Sequence, residues 1–396
     1  MRGGVLYLKL ATLFFCAATD RLGSGVNEMT ARTLEQERTI CFDLEGPLSP
    51  QDNAYEVMKL TGDDGARIFE LISRYDDLIS LQGRAGYEPG DTLALIVPFL
   101  LAHAITESDI RRVSARAKIV DGATTLFRQL QAGGWDIYII STSYEQHAHH
   151  IGRQLGVPED HILCTSLNLD SLRFALPEAA FTLLNEAQDE LLGLSTDLER
   201  EETGQLTRRL DELFFQQLPA LGFNIFSTRV VGGERKAEAV RTIAAEKRIA
   251  VRDIIAVGDS ITDYKMLNEV ASRGGIAIVF NGNEYAVPYA NVGLASVDIR
   301  FLSLICEAFA EQGKEAVMEL VTSWERNREH YANDPALIPD SEITAEIRAF
   351  LTAQRENVPF PYFHNIERAD DSKRAEITAI HKRFRMRVRE DAGKLG

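Results

Sequence analysis

Short apolar runs alternate with amphipathic segments along most of the chain between residues 38 and 300. Five of these runs have the length and apolar content of strands that are buried on both faces of a parallel sheet. They lie at residues 38–42, 135–140, 161–164, 253–257 and 276–280. The segments between them carry apolar residues at helical spacing. This alternation predicts an α/β fold with a parallel sheet and right-handed crossovers.

Three further segments, at residues 55–118, 166–232 and 301–396, have a helical pattern and contain no predicted strand. The first carries Ile68, Leu71, Ile72 and Tyr75 at helical spacing. The second is a long charged stretch, and the third is divided by prolines. The predicted organisation is an N-terminal segment at 1–37, a core at 38–54, 119–165 and 233–300, a helical segment at 55–118, a helical insert at 166–232 and a helical C-terminal extension at 301–396.

The last predicted helix, at about residues 373–389, is strongly basic. We interpret it as a surface helix that docks on acidic residues such as Glu199, Glu201 and Glu202. The helical insert and this C-terminal extension are also the surfaces through which a protein partner would bind.

The chain as a whole is acidic, with 43 Lys and Arg against 59 Asp and Glu in 396 residues and a net charge of −16. A nucleic-acid partner is disfavoured, because phosphate backbones require a basic face. The few cysteines are scattered without CxxC spacing: Cys16, Cys41, Cys164 and Cys306. This spacing argues against a zinc site or a disulfide framework and favours a reducing compartment, the cytoplasm.

Residues 1–19 contain a short apolar stretch after Arg2 that resembles a signal peptide. Lys9 interrupts the stretch, which is too short to span a membrane. Two alternatives to a plain cytoplasmic chain follow. The segment serves for export or anchoring, or translation begins at Met29, shortly before the first strand. No membrane span is expected elsewhere in the sequence.

Acidic residues directly follow the first predicted strand. Asp43 comes immediately after it, and Glu45 precedes a Gly46-Pro47 turn. A carboxylate at Asp43 could attack phosphorus while nearby backbone N–H groups hold phosphate oxygens. Glu45 could give a proton to a leaving oxygen and later accept one from water. The structural alternatives are a loop cap for Asp43 and an exposed turn residue for Glu45.

A second acidic motif follows the strand at 253–257 and is the most specific signal in the chain. Asp259 and Asp263 lie one helical turn apart at a helix start, where oxygen ligands for a hard cation such as Mg²⁺ can gather. Ser141 ends another strand and Lys236 opens a helix, so that a hydroxyl and an ammonium could hold a phosphoryl group. Ligands bind beyond the carboxyl ends of parallel strands, so these residues can meet in space.

Taken together, the motifs resemble those of the haloacid dehalogenase superfamily of phosphohydrolases, in its phosphoserine phosphatase-like branch. The resemblance covers residues 38–300 and implies a Rossmann-like core, with the helical segment at 55–118 as a cap inserted after the first motif. It further implies that Asp43 is the nucleophile and a Mg²⁺ ligand. Glu45 would be the acid/base and would place its backbone carbonyl on the metal.

The same resemblance assigns the remaining motif residues. Ser141 and Lys236 would hold the phosphoryl group, and Asp259 and Asp263 would complete the metal site. One departure concerns Glu45, since the usual residue at this place is Asp. The Asp-Leu-Glu-Gly form is similar to that of bifunctional phosphoserine phosphatase/homoserine phosphotransferase proteins, so activity is retained as an expectation.

Two longer sequence segments around the motifs resemble a second group of proteins. Glu45-Gly46-Pro47-Leu48-Ser49 and Ser141-Thr142-Ser143-Tyr144-Glu145 are similar to the HAD-like subunits, termed R, associated with the energy-converting hydrogenase A of methanogens. The likeness does not fix a reaction, because fold and neighbourhood leave the substrate open.

The sequence therefore predicts a Mg²⁺-dependent phosphatase that hydrolyses a small phosphorylated metabolite through an aspartyl-phosphate on Asp43. Arg67, Arg74 and Arg84 would recognise a substrate carboxylate. Two alternatives stay open. One is phosphotransfer to an alcohol acceptor, and the other is a non-catalytic accessory or assembly subunit.

Overall fold

A computed structural model describes residues 38–194, 200–354 and 356–395, without the side chains of Arg200 and Asp391. Within these residues a seven-stranded sheet has the order β3-β2-β1-β4-β5-β6-β7. Every neighbouring pair is parallel except β6 and β7. The strands are β1 (Arg38–Phe42), β2 (Trp135–Tyr144), β3 (Ile162–Thr165), β4 (Ile254–Gly258), β5 (Ile276–Phe280), β6 (Val292–Ala295) and β7 (Tyr362–Asn365).

Helices surround this sheet and connect its strands. They are α1 (Asn53–Met58), α2 (Gly65–Leu81), α3 (Thr92–Leu95), α4 (Val97–Ala102), α5 (Glu107–Ser114), α6 (Ala123–Ala132), α7 (Glu145–Leu155), α8 (Leu169–Ala175), α9 (Glu178–Leu192), α10 (Arg200–Glu212), α11 (Leu218–Ala220), α12 (Glu234–Lys247), α13 (Tyr264–Ser272), α14 (Leu302–Gln312), α15 (Lys314–Asn333), α16 (Ala345–Ala353) and α17 (Asp371–Arg389).

The sheet is buried on both faces, as the continuous apolar runs predict. Ile40, Phe42 and Ile139 belong to the hydrophobic core on one face, whereas Cys41 and Ile140 belong to the core on the other face. Adjacent strand residues point to opposite faces, which explains the alternation. The five predicted strands are confirmed, and the parallel α/β class with them.

A separate hydrophobic core lies among the helices away from the sheet. It contains residues of α2 and α4 together with residues of α9 and α10, for example Ile72, Phe99, Leu184 and Leu210. The helical segment after β1 and the helical insert, which the sequence treats as two units, therefore pack against each other and share one core.

The C-terminal extension differs from its prediction in two ways. It contains a strand, since β7 pairs antiparallel with β6 in the register Val292↔Asn365. A four-residue strand in an otherwise helical pattern gives little periodic signal, which explains the omission. In addition, α17 packs on β6 and places Arg385 and Arg389 against Asp259. Glu199 lies outside the described residues.

Among the described residues, no single helix has the length and apolar character needed to cross a membrane; one sharply bent pair, Thr92–Ala102 and Glu107–Ser114, meets the length and composition test when its two helices are taken together.

Candidate active site

Asp43 lies where β1 ends, at the edge of the sheet to which the neighbouring parallel strands also point their carboxyl ends. Its N–H donates to the carbonyl oxygen of Val257 at 2.8 Å, which extends the pairing of β1 with β4 by one step. The N–H of Leu44 donates to Asp43 Oδ1 at 2.7 Å. The backbone thus fixes the carboxylate, which is buried at 3% exposure.

Lys236 connects the two acidic motifs. It lies in the first turn of α12, is fully buried, and donates from Nζ to Asp43 Oδ1 and Asp263 Oδ1, both at 2.7 Å. Burial by itself lowers the pKa of Lys236, but Asp263 and Asp43 together raise it above its ordinary value. The ammonium therefore stays charged and holds together two carboxylates that would otherwise repel each other.

Asp259 and Asp263 follow β4 in a tight loop. Asp263 Oδ2 accepts hydrogen bonds from the N–H groups of Asp259 at 2.9 Å and Ser260 at 3.1 Å. The Asp259 carboxylate packs directly against Gly46, whose φ is +110°. A Cβ at Gly46 would overlap that carboxylate, so this position requires glycine both for its backbone conformation and for the close approach.

Glu45 lies in the same cavity as Asp43. Its Oε1 accepts the N–H of Asn53 at 2.9 Å, which attaches the side chain to the start of α1. Burial, followed by the nearby charge of Asp52, raises the pKa of Glu45 to about 8. A carboxyl group that holds its proton near neutral pH is suited to donate it to a leaving oxygen.

His147 is a buried neighbour of Glu45 that sequence reasoning missed. It lies on α7 and is 0% exposed. Its Nε2 lies 4.0 Å from Glu45 Oε1, and neither ring nitrogen has a hydrogen-bond partner among the described residues. Burial lowers the pKa of His147 to about 3. Ala148 and Ile151 on the same helix gave the available signal for a buried face.

Ser141 lies on β2, the strand that neighbours β1, and is fully buried. Its Oγ accepts the N–H of Ser143 at 3.0 Å. The next residue, Thr142, lines the cavity that contains Asp43. The structure thus brings Ser141 to the same sheet edge as the carboxylates, whereas direct ion pairs connect only Asp43, Lys236 and Asp263 among the residues predicted from sequence.

Two arginines of α17 enter the site and were not predicted. Arg385 contacts Asp259 Oδ2 through Nη1, and Arg389 Nη1 reaches the same oxygen at 3.0 Å. Both side chains are buried, at 2% and 7% exposure for the residues. Burial raises the pKa of Asp259, and the two guanidinium groups oppose that rise. The interpretation of α17 as a surface helix is therefore wrong on its inner face.

The cavity beside Asp43 and Glu45 has a volume of about 70 Å³. Its far wall comes from the helices after β1 and includes Asp76 and Thr92. Asp76 accepts hydrogen bonds from Tyr87 Oη at 2.5 Å and from the N–H of Gly90 at 2.9 Å, and burial raises its pKa to about 8. This wall is fixed by hydrogen bonds within the same helical segment.

The three arginines proposed to recognise a carboxylate do not line this cavity. Arg84 pairs with Asp211 at 2.7 Å and lies over the ring of Phe215, and Arg67 approaches Glu70 at 3.7 Å. Arg74 is exposed. Arg84 is thus engaged by the helical insert and not by the cavity.

Three carboxylates are grouped closely enough to hold a cation. Asp43, Asp259 and Asp263 each place an oxygen within 4.8 Å of the others. Asp259 Oδ1 is buried and has no hydrogen-bond partner among the described residues. An unpaired buried acceptor is costly, and a bound cation would satisfy it. Hard carboxylate oxygens of this kind fit Mg²⁺.

The fold and the site define a class of protein before any relative is considered. A parallel sheet carries a carboxylate at the end of β1, a buried lysine from a helix, and a further acidic pair after β4. This arrangement is the one that the resemblance to the haloacid dehalogenase superfamily implies. The family model of haloacid dehalogenase-like hydrolases matches residues 179–297, which contain Lys236, Asp259 and Asp263.

Two known proteins extend this similarity along the chain. A phosphoserine phosphatase of Archaeoglobus fulgidus is 23% identical over 287 residues, which are 70% of this chain and 65% of that protein. The chain thus spans slightly less than two thirds of that relative's length. The solved structure of a gene product from Archaeoglobus fulgidus is 29% identical, covers 91% of this chain and 99% of its own, and has a TM-score of 0.72. The chain is thus similar to haloacid dehalogenase-like hydrolases, and in particular to a phosphoserine phosphatase.

Proposed function

We propose that this protein is a Mg²⁺-dependent phosphatase that hydrolyses a small phosphomonoester through an aspartyl-phosphate on Asp43. The observation that carries the proposal is the buried Lys236 ammonium, held at 2.7 Å from both Asp43 and Asp263 at the carboxyl edge of the sheet. Burying a cation between two carboxylates costs desolvation energy. The cation also offsets the repulsion that a further anionic group would meet at this site.

Asp43 would act as the nucleophile. Leu44 N–H and Lys236 Nζ both donate to Oδ1, so Oδ2 is the oxygen that can face phosphorus. Attack forms the bond from Oδ2 to phosphorus and breaks the bond from phosphorus to the leaving oxygen, which takes a proton from Glu45. Water then attacks the same phosphorus, Glu45 accepts its proton, and inorganic phosphate leaves with Asp43 regenerated.

The remaining residues would bind and orient. Lys236 offsets the repulsion between the incoming phosphate and the two carboxylates, and Ser141 would hold a phosphate oxygen. Asp43, Asp259 and Asp263, together with the backbone carbonyl of Glu45, would hold Mg²⁺. The ion supplies charge neutralisation at the phosphoryl oxygens when bound.

The size of the cavity favours a small substrate and a movable cap formed by the helices after β1. A volume of about 70 Å³ is well below the range of roughly 300–1,000 Å³ that is usual for ligand sites. A phosphate group would fill most of it, so an attached metabolite requires the helices after β1 to open. The similarity to a phosphoserine phosphatase makes phosphorylated hydroxy amino acids the first candidates, beside other small phosphomonoesters.

The test is phosphate release from an aryl phosphate and a panel of small phosphomonoesters, with Mg²⁺ or with chelator. We expect Mg²⁺-dependent turnover, and a decrease of at least about 10³-fold in Asp43→Asn, because no other described group can replace the nucleophile. Asp160→Asn removes a carboxylate from an exposed position and serves as the matched control.

The outcomes also separate the alternatives. Glu45 in place of the usual Asp is the feature that favours transfer, and release of phosphorylated product in the presence of an alcohol acceptor would indicate it. A folded wild-type protein that binds Mg²⁺ but turns over no phosphomonoester would contradict the phosphatase and favour an accessory subunit, including the hydrogenase-associated role that the sequence resemblance suggests.

A further inference from the structure

The inner face of α17 carries three polar side chains at intervals of four residues. His381, Arg385 and Arg389 are 0%, 2% and 7% exposed, whereas Arg383 and Arg387 on the same helix are exposed. Side chains four residues apart lie on one helix face. The two buried arginines thus enter the site from one direction, opposite the loop that follows β4.

The two oxygens of Asp259 have different surroundings. Oδ2 accepts from Arg385 and Arg389. Oδ1 is buried without a hydrogen-bond partner among the described residues. Asp43, Asp259 and Asp263 each offer one oxygen to a group that is close enough to hold a cation. The arginines occupy Oδ2 and therefore leave Oδ1 as the Asp259 oxygen that can contribute to that group.

Both guanidinium groups are themselves held in place. Arg385 donates from Nε to the carbonyl of Gly393 at 3.1 Å and from Nη2 to the carbonyl of Leu395 at 2.7 Å. Arg389 donates from Nε to the carbonyl of Pro50 at 3.2 Å. Because backbone carbonyls fix each guanidinium, the donors that reach Asp259 have little freedom to turn away.

We propose that Arg385 and Arg389 are positioning residues, which hold Asp259 Oδ2 so that Oδ1 faces the divalent cation bound beside Asp43. This inference rests on the metal site of the proposed function. Hydrogen bonds to the outer oxygen of a ligating carboxylate orient it and increase metal affinity, and their loss typically weakens binding by about 10–100-fold.

A competing effect has the opposite sign. Two guanidinium groups near a cation repel it, and a segment that inserts arginines into the site could exclude the metal altogether. Besides Glu45, which holds its proton near neutral pH, four carboxyl groups face this region: Asp43, Asp52, Asp259 and Asp263. They outnumber the three cations Lys236, Arg385 and Arg389, so the local field still attracts Mg²⁺ with the arginines in place. Orientation should therefore outweigh repulsion, and the sign of the measured change decides between them.

The experiment is a calorimetric titration of Mg²⁺ into the full chain, with no substrate present. Arg389→Gln should bind Mg²⁺ about tenfold more weakly than the wild type. Arg389→Lys keeps the charge but loses the contact with Pro50, and should lie between the two. Arg387→Gln, from the exposed face of α17, should bind as the wild type does. Asp259→Asn should lose binding.

A second readout distinguishes positioning from general destabilisation. The Mg²⁺ concentration that gives half-maximal phosphate release should rise in Arg389→Gln and should stay at the wild-type value in Arg387→Gln. Unfolding of the metal-free variants is followed by circular dichroism, so that weaker binding is interpreted only in folded protein. Where Arg389→Gln does not fold, Arg389→Lys supplies the comparison, and a several-fold weaker affinity is expected.

Each contrary result has a distinct meaning. Equal or tighter Mg²⁺ binding in the folded Arg389 variants, with binding lost in Asp259→Asn, overturns the positioning role and indicates repulsion or exclusion by the arginines. A changed KM for the phosphomonoester with unchanged Mg²⁺ affinity also overturns it and indicates a substrate contact. A wild type that does not bind Mg²⁺ contradicts the metal site of the proposed function itself.

Discussion

Two regions of the molecule bury charged groups at the same site, and they do so differently. In the strand-end cluster, Asp43, Lys236 and Asp263 are neutralised by one another, through two contacts of 2.7 Å. In the C-terminal cluster, the cations Arg385 and Arg389 are also held by backbone carbonyls. The first cluster depends on the identity of each member, whereas the second depends on the docking of a whole segment.

The strand-end cluster should be the more sensitive to the loss of one charge. Replacing Lys236 by Met leaves Asp43 and Asp263 buried and facing each other without a cation. We expect a loss of stability of about 3–5 kcal/mol, the usual cost of breaking a buried ion pair from one side, together with loss of phosphate release. The measurement is urea unfolding at neutral pH.

Lys382→Met is the matched control for this substitution. Lys382 pairs with Glu284 at 3.1 Å, but both side chains are half exposed, at 52%. A surface pair of this kind contributes about 0–1 kcal/mol. If the two lysine variants were equally stable, the description of Lys236 as the central cation of a buried cluster would have to be abandoned.

A substitution at Gly46 tests the contact between the two clusters. Asp259 belongs to the strand-end motifs, is held by the C-terminal arginines, and packs on this glycine. Gly46→Ala combines a positive φ, which costs about 1–3 kcal/mol, with overlap on Asp259 that adds about the same. We expect lower stability and weaker Mg²⁺ binding, measured by thermal unfolding and calorimetry.

Gly62→Ala separates these two contributions. Gly62 also has a positive φ, of +135°, but a Cβ there would meet nothing within 4 Å. This variant should show the backbone strain alone and keep Mg²⁺ affinity unchanged. Weaker Mg²⁺ binding in both variants would mean that general strain, rather than displacement of Asp259, controls the affinity.

A buried histidine pair beside the C-terminal cluster, formed by His364 of β7 and His381 of α17, should make the stability depend on pH. His364 Nδ1 lies 3.2 Å from His381 Nε2, and burial, followed by the charges of Lys373 and Arg328, lowers the pKa of His364 to about 3. The unfolded chain has the ordinary value of about 6.5. The unfolded state therefore binds more protons between these values, so stability falls as the pH is lowered from about 6.5.

This pH effect on stability is smaller than the effects expected for Lys236→Met and Gly46→Ala. We expect the stability difference between the wild type and His364→Asn to shrink by about 1–2 kcal/mol between pH 7.5 and pH 5. Urea unfolding at several pH values measures it, with His330→Asn as a control at an exposed histidine. A difference that stays constant over this range would show that His364 does not remain neutral in the folded protein.

The sequence predicted the strand-end cluster because each of its members follows a local pattern. Asp43 and Asp259 come immediately after apolar runs, and parallel strands bring such positions to one edge. Lys236 is placed by the first turn of a helix that precedes β4. Each of these residues lies close in sequence to a predicted strand or helix end, so the hydrophobic pattern is sufficient to place it.

The C-terminal cluster was not predictable in the same way. The basic residues of α17 point in several directions, and their number drew attention away from the buried face. Ile377, Ile380 and Phe384 form an apolar face at helical spacing, and this pattern could have placed Arg385 beside it. Which surface that face covers depends on the pairing of β7 with β6, and a four-residue strand leaves no clear signal.

The contacts of the site join residues that are far apart in the sequence, and this separation bears on how the protein folds. The contacts of Lys236 with Asp43, of Arg385 with Asp259 and of Arg389 with Pro50 join residues 193, 126 and 339 positions apart. Each doubling of a loop adds only about 0.6 kcal/mol to the entropy of closure, so such lengths are tolerated at equilibrium. Contacts of large separation slow folding instead. We therefore expect the site to be completed late in folding. A chain whose last helix has not docked lacks both of the arginines that bind Asp259 Oδ2.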